Sequence, residues 1–265
     1  MKKLLYIFLT VLIVGCSGED GGDNNQSSCP IYLDSNGITI KACDDANVGD
    51  TGVINGVTYT VVDEGMLREM VANEEDVTKL ATTKVTNMSR MFYINYDTES
   101  YFNQPIGNWD TSNVTDMYRM FNLATSFDQP IGNWDVSNVI DMRGMFEYSS
   151  SFNQPIGNWD VSNVYDMVRI FQNALAFNQP IGNWDVSNVV DMRGMFEYSP
   201  SFNQPIGNWD VSNVTDMRSM FNNANVFNKD LSSWSVDGVT QCVQFSDGAT
   251  SWTLPQPNFT NCNPN

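Results

Sequence analysis

Residues 152–176 read FNQPIGNWDVSNVYDMVRIFQNALA, and the same 25-residue unit recurs on both sides of them. Tryptophan falls at Trp109, Trp134, Trp159, Trp184, Trp209 and Trp234, and phenylalanine at Phe102, Phe127, Phe152, Phe177, Phe202 and Phe227. The block FNQPIGNWD begins at 102, 152, 177 and 202, FDQPIGNWD at 127, and a divergent FNKDLSSWS at 227. Each full block runs into Val/Thr-Ser-Asn-Val-x-Asp-Met, then two variable residues, then Met-Phe or Ile-Phe. A partial copy, TKVTNMSRMF, ends at Phe92; the next phenylalanine of that kind comes four residues late, so residues 93–101 carry an insertion. A strict period of this size implies coils stacked on one another rather than a single globular core.

The invariant apolar positions predict what faces inward. In the copy that starts at Phe127 they are Phe127, Ile131, Trp134, Val139, Met142, Met145 and Phe146. One coil cannot bury seven such side chains, but coils stacked about 4.8 Å apart bury them as continuous ladders. Asn-Val-x-Asp-Met is the expected parallel strand, because Val139 and Ile140 favour extended backbone. Asp-Met-Arg-Gly-Met-Phe-Glu-Tyr is expected to be a short helical turn. In Gln-Pro-Ile-Gly, Pro130 has no N–H to give, which predicts a looser, polyproline-like edge. Gly132 with Asn133 marks a bend.

The two ends read differently. VINGVTYTVV, residues 53–62, is two β-rich runs around Asn55-Gly56, a strong hairpin signal. A helix is expected after it, with Asp63 as N-cap and Met66, Leu67, Met70 and Val71 on one face. At the far end, Cys242 takes the periodic methionine position and precedes the tail WTLPQPNFTNC. Open ends of a stack expose apolar ladders, so both ends require covers.

The motif FNQPIGNWDVSNVTDMRxMF resembles the BspA-like leucine-rich-repeat surface proteins, in the branch with Trp-Asp-x-Ser-Asn-Val and Met-Phe signatures. The likeness covers about residues 80–246, and TGVINGVTYTVVDEGMLREMV is similar to the segment that precedes such repeats in flavobacterial members. The resemblance implies a surface-exposed, often adhesive protein with no shared catalytic activity. The expected fold class is α/β: an LRR-like solenoid of stacked 25-residue coils with parallel short strands and short helical turns. The expected organisation is a signal peptide (1–15), a tether (16–28), a hairpin-plus-helix cap (29–80), the repeat solenoid (81–246) and a C-terminal cap (247–265).

Lys2 and Lys3 precede an apolar run from Leu4 to Val14, too short to span a bilayer, which needs roughly 20 residues. The run ends Leu12-Ile13-Val14-Gly15-Cys16, which resembles a bacterial lipobox and implies cleavage before Cys16 and its lipidation. Residues 17–28, SGEDGGDNNQSS, have nothing apolar to bury and read as a flexible tether. Glu19 and Asp20 resemble the signal that sends lipoproteins of the Bacteroidota to the outer face of the outer membrane, although a solvating linker would look the same. The expected location is therefore the outer membrane, lipid-anchored and facing outward. The other four cysteines suggest two disulfides, with Cys29–Cys43 and Cys242–Cys262 the expected pairs among three connectivities.

The chain of 265 residues carries 31 acids against 13 bases and no histidine, a net charge of −18. Such a surface repels nucleic acid and attracts cations or basic partners. Two acids align in every full coil: Asp110, Asp135, Asp160, Asp185 and Asp210, and Asp116, Asp141, Asp166, Asp191 and Asp216. One reading is a calcium ladder, although no DxDxDG loop is present. The other is neutralisation of the second set by Arg119, Arg143, Arg169, Arg193 and Arg218, and turn capping by the first. The tryptophans could be a sugar-stacking platform, but strict periodicity beside Ile and Val favours core. Among non-periodic aromatics, Tyr93, Tyr96, Tyr101, Tyr118 and Tyr165 are the candidate ligand-binding residues, offering area and a polar tip.

Without histidine there is no Ser-His-Asp or Cys-His arrangement and no His metal site. No catalytic residue, metal or cofactor is expected. The function expected is a binding or adhesion scaffold for a protein or glycan surface ligand, held to the membrane by its lipid. The alternatives are a carbohydrate-active hydrolase working from an acidic edge and a purely structural envelope protein.

Overall fold

The computed structural model describes residues 30–93, 95 and 98–264. The chain opens with two antiparallel pairs. Strand β1 (Ile31–Leu33) pairs with β2 (Ile40–Ala42), and β3 (Thr51–Ile54) with β4 (Val57–Val61). Asn55 and Gly56 take positive φ at the β3–β4 turn, the conformation an Asn-Gly pair tolerates at least cost. Helix α1 (Glu64–Ala72) follows, its first turn capped by the Asp63 side chain accepting from the Met66 N–H. Strand β5 (Leu80–Ala81) then runs parallel to β4. Neighbouring residues here face two cores. Val61 and Ala81 join a small cluster with Ile31 and Ile40, while Val62 and Leu80 open the large core that continues to Trp252.

From residue 82 onward, successive 25-residue coils lie one on the next. The expected strand shrinks to a single parallel bridge per coil, in the series Asn87, Asp116, Asp141, Asp166, Asp191, Asp216 and Gln241. The reason is the turn on either side. Val139 N–H closes back onto the Val136 carbonyl and Met145 N–H onto that of Met142, which leaves only the residues between them extended.

The expected helical turn is also replaced. Residues 142–149 form a run of overlapping three-residue turns in which alternate N–H groups serve different partners. The N–H groups of Met145, Glu147 and Ser149 bond back within the coil to Met142, Gly144 and Phe146. Those of Gly144, Phe146 and Tyr148 bond to Val168, Ile170 and Gln172 of the next coil. The alternation requires two left-handed residues per coil. They fall at Arg119, Gly144, Arg169, Gly194 and Ser219 (φ 53° to 60°), and at Leu123, Tyr148, Asn173, Tyr198 and Asn223 (φ 52° to 61°). A left-handed residue ends any α-helical run, so every buried N–H must find this divided pattern instead.

The proline edge is stitched rather than loose. Side chains make the bonds between coils here, with Asn or Asp oxygens accepting: Asn153 N–H donates to Asp128 Oδ1 (2.9 Å), Asn178 N–H to Asn153 Oδ1 (2.9 Å) and Asn203 N–H to Asn178 Oδ1 (2.9 Å). Gly132 serves close approach more than bending. A Cβ there would sit 2.5 Å from the Pro155 carbonyl oxygen of the next coil. The tryptophans are core and are bonded besides: the indole N–H of Trp134, Trp159, Trp184 and Trp209 donates to the isoleucine carbonyl of the preceding coil at 3.1–3.2 Å.

Helix α1 closes the first end of the stack. In later coils the carbonyls of Asp116 and Tyr118 accept the N–H groups of Met88 and Arg90 in the coil before. The equivalent carbonyls of the first coil, Asn87 and Ser89, instead accept from Arg68 of α1 (3.4 and 3.1 Å). At the other end a disulfide joins Cys242 to Cys262 (Cα–Cα 5.9 Å), and Trp252 and Phe259 pack edge-on against the last phenylalanines.

Candidate functional site

The insertion at 93–101 does not break the stack. The chain rejoins the stack where Ser100 N–H bonds the Leu123 carbonyl, and Tyr93, Glu99, Ser100 and Tyr101 of the insertion line, together with α1, a cleft of about 750 Å³. The floor is apolar: Phe92 and Phe102 stack at 3.8 Å, with Met91, Val71 and Val77 beside them. One wall is the exit from α1, with Glu74 and Glu75; the other carries Glu99, Tyr101 and Tyr93. Glu74 takes positive φ (57°), which turns the chain sharply off the helix. Gln104 ties the walls together, its amide donating to the Glu75 carbonyl (2.8 Å) and accepting from Val77 N–H (2.9 Å).

The tyrosine candidates separate in space. Tyr93 and Tyr101 line the cleft, and Tyr101 is 74% exposed. Tyr118 is elsewhere and already occupied: the guanidiniums of Arg90, Arg119 and Arg143 lie 5.2, 5.3 and 5.0 Å from its ring. It binds the stack together by cation–π contact rather than presenting a free face. Tyr165 is exposed beside a shallow groove of about 530 Å³ on the bridge edge, with Asn163, Asn188, Val190, Asn213 and Thr215. Tyr96, Cys16 and Cys29 lie outside the described residues, so the Cys29–Cys43 pairing does too; Cys43 itself is half-buried. The sequence reading missed Arg68, Glu74, Glu75, Phe92 and Phe102 as site residues. The one signal that pointed there was the interruption of the period after Phe92.

The acids are engaged with their own chain. In the first set, Asp135, Asp160 and Asp210 accept from the N–H of the serine two residues on (3.1, 3.1 and 3.0 Å). The hydroxyls of Ser162 and Ser212, and after them these N–H groups, hold Asp160 and Asp210 below the usual carboxylate range. In the second set, Arg143 pairs with Asp141 (2.5 Å) and reaches Asp166 (3.7 Å), and Arg193 pairs with Asp191 (3.0 Å) and Asp216 (3.5 Å). Arg218 also pairs with Asp216 (2.6 Å). The expectation that an arginine neutralises this set in every coil needs correcting. Arg119 and Arg169 stand one residue later, on the left-handed position, and turn to Glu147 instead (3.4 and 3.9 Å).

Glu147 belongs to a column that alternates amide and acid: Asn122, Glu147, Gln172, Glu197, Asn222. Asn122 Nδ2 donates to Glu147 (2.8 Å), and Gln172 Nε2 to Glu197. Burial pushes the Glu147 carboxyl up, against the pull of Arg119 and Arg169, while Glu197 adds to the rise and the Asn122 amide opposes it. Burial likewise raises Glu197, opposed by Gln172 and Arg169. Among the described residues no group of three or more His, Cys, Asp or Glu is arranged to hold a metal ion. No helix among them is long and apolar enough to cross a membrane.

These features define a protein of stacked 25-residue repeats with one irregular cleft near its covered first end. A family model described as "Mycoplasma protein of unknown function, DUF285" matches residues 64–181 and again 151–259, and the chain belongs to that family. This match corrects the resemblance to BspA-like leucine-rich-repeat proteins: the family that the repeats identify is DUF285. No curated protein and no solved structure matches the chain.

Proposed function

We propose that this chain is a binding scaffold displayed on the outer surface of the cell, anchored by lipid on Cys16, with its recognition site in the cleft between α1 and the 93–101 insertion. The observation that carries the reading is the character of that cleft. It is the one place where the repeat is interrupted, and its stacked Phe92 and Phe102 floor lies beneath an acidic and tyrosine rim. An apolar floor with a few convergent polar groups is the usual make-up of a recognition pocket. The coils supply a rigid support, because their ladders repeat nearly unchanged and carry no individual message.

The test is adhesion of full-length protein, bearing Tyr93→Ala, Tyr96→Ala and Tyr101→Ala together, to whole cells and immobilised glycans. Binding should fall sharply while the melting temperature stays close to the unaltered protein's. Normal binding by a folded triple variant removes the cleft as the recognition surface. Release of sugars or peptides without any binding would favour a hydrolase. Anchorage is tested separately: Cys16→Ala should free the chain from membranes or block its processing, and retention in the outer membrane after a salt wash would refute lipidation.

A further inference from the structure

Resting on the reading of the cleft as a recognition site, we propose that its occupant is an extended polypeptide segment with basic side chains, lying where a preceding coil would lie. The first coil presents a row of carbonyls with no coil before it. Two of them, on Asn87 and Ser89, are taken by Arg68. The next in the row belongs to Met91, whose counterpart Met120 accepts the Phe92 N–H and whose counterpart Met145 accepts the Phe121 N–H. Met91 lines the cleft, and none of the described backbone N–H groups donates to its carbonyl. An extended peptide can place an N–H on the Met91 carbonyl, continuing the row past the two that Arg68 caps, which is the start of recognition by strand addition.

Charge selects the side chains. Glu74, Glu75 and Glu99 stand on the rim, and among the described residues the only basic group lining the cleft is Arg68. Its guanidinium is already committed to Glu64 (2.9 Å) and to the two carbonyls. Alternate side chains of a strand point to opposite faces, so apolar residues can seat on Phe92 and Phe102. Long basic side chains between them can bend over the walls to the three carboxylates. The net charge of −18 steers the same class of partner toward the chain.

The experiment is fluorescence anisotropy with the full-length chain in detergent micelles and three labelled hexapeptides: alternating valine and lysine, alternating valine and glutamate, and the lysine peptide N-methylated at every second amide. The lysine peptide should bind, and the glutamate peptide about tenfold or more weakly. N-methylation should also weaken binding, because it removes the donors. The triple variant Glu74→Gln, Glu75→Gln, Glu99→Gln should keep its melting temperature and lose about tenfold in affinity for the lysine peptide, as three exposed charge pairs would. Equal binding of lysine and glutamate peptides, indifference to N-methylation, or normal affinity in the triple variant would each overturn the proposal. If the peptides fail while the tyrosine variants still abolish adhesion to cells, the cleft remains the recognition site and its occupant belongs to another class.

Discussion

Trp159 contributes twice at one position. Its ring lies flat against Trp184 (6.5 Å, 2°) while its N–H satisfies the Ile131 carbonyl, and only 4% of it meets water. Trp159→Ala should therefore lower stability by about 3–5 kcal/mol, as truncated core aromatics do, with the stranded carbonyl adding to the cavity. Urea unfolding measures it; a loss of less than about 1 kcal/mol would mean the ladder collapses around the gap. Glu147 makes a different prediction, one of pH. A carboxyl raised by burial holds its proton more tightly folded than unfolded. The stability it contributes is complete below its ordinary value of 4.5 and is lost as pH rises through the raised one. Glu147→Gln keeps an acceptor for Asn122 and cannot ionise, and the arginines stay charged throughout. The variant's melting temperature should gain on the parent's as pH climbs from about 4 to about 7, and a gap constant across that range would show that Glu147 does not titrate as its burial demands. Neither role of Glu147 was legible in one repeat. The alternation with Asn122 and Gln172 appears only when two coils are read together, and the arginines that meet it come from the coils before and after.

Within a coil, the structure depends on turns more than on strands or helices, and the sequence conceals this for a physical reason. Asn55-Gly56 announces its turn because both residues tolerate positive φ, and Asp63 announces a cap because its carboxylate reaches the Met66 N–H. Arg119, Leu123, Tyr148 and Tyr198 hold equally left-handed backbone with no such signal. They are kept there by the bonds of the flanking coils, a tertiary effect that overrides local preference. Val139 and Ile140 have strand propensity, yet turns close in from both sides and one bridge is all that remains. The cleft was half legible. The broken period located Tyr93 and Tyr101, whereas the wall carrying Glu74 and Glu75 follows α1 and is brought to the cleft by the fold, with no mark in its own sequence. At this scale the sharpest test is Gly132→Ala, since its new Cβ would meet a backbone oxygen that cannot swing away. It should destabilise the fold by more than the same change at Gly65, where beyond its own helix the added carbon would meet the Asp63 carboxylate at 3.6 Å. Thermal melts of the two variants decide the point, and equal losses would show that the coils separate freely.

Over the whole molecule the natural step is two coils. Arg119 and Arg169 occupy the left-handed site in alternate coils, each followed by a glycine, Gly144 and Gly194. A Cβ on Gly144 would press to 3.1 Å from Arg119 Cγ and 2.9 Å from Glu147 Oε2, so the arginine that turns to Glu147 leaves no room for a side chain there, whereas Arg90, which lies against Tyr118, is followed by Arg119. Deleting 127–176 would set Arg119 and Asn122 against Gly194 and Glu197, reproducing a pairing the chain already uses. Deleting only 152–176 would stack Glu147 on Glu197 with Arg169 and Gln172 gone, a buried and a half-buried carboxylate face to face. The chain shortened by 50 residues should therefore melt above the one shortened by 25 at neutral pH, and the gap should close in acid as the carboxylates protonate. The 25-residue period was plain in the sequence; this doubling showed only as the near-identity of residues 142–164 and 192–214. A last consequence follows from the direction of the bonds between coils. The N–H groups of Met117, Arg119, Phe121 and Leu123 all point to the following coil, against the single Ile140 N–H that points back to Thr115. The peptide dipoles of each coil therefore add along the stack, as they do along a helix, and the first end is the negative pole. Arg68 sits at that pole and the cleft opens beside it. Because such a field fades within about a turn's distance of the terminus, the cleft feels its nearest coils and little beyond. Repeats can be gained or lost far down the stack while the electrical character of the cleft stays as it is.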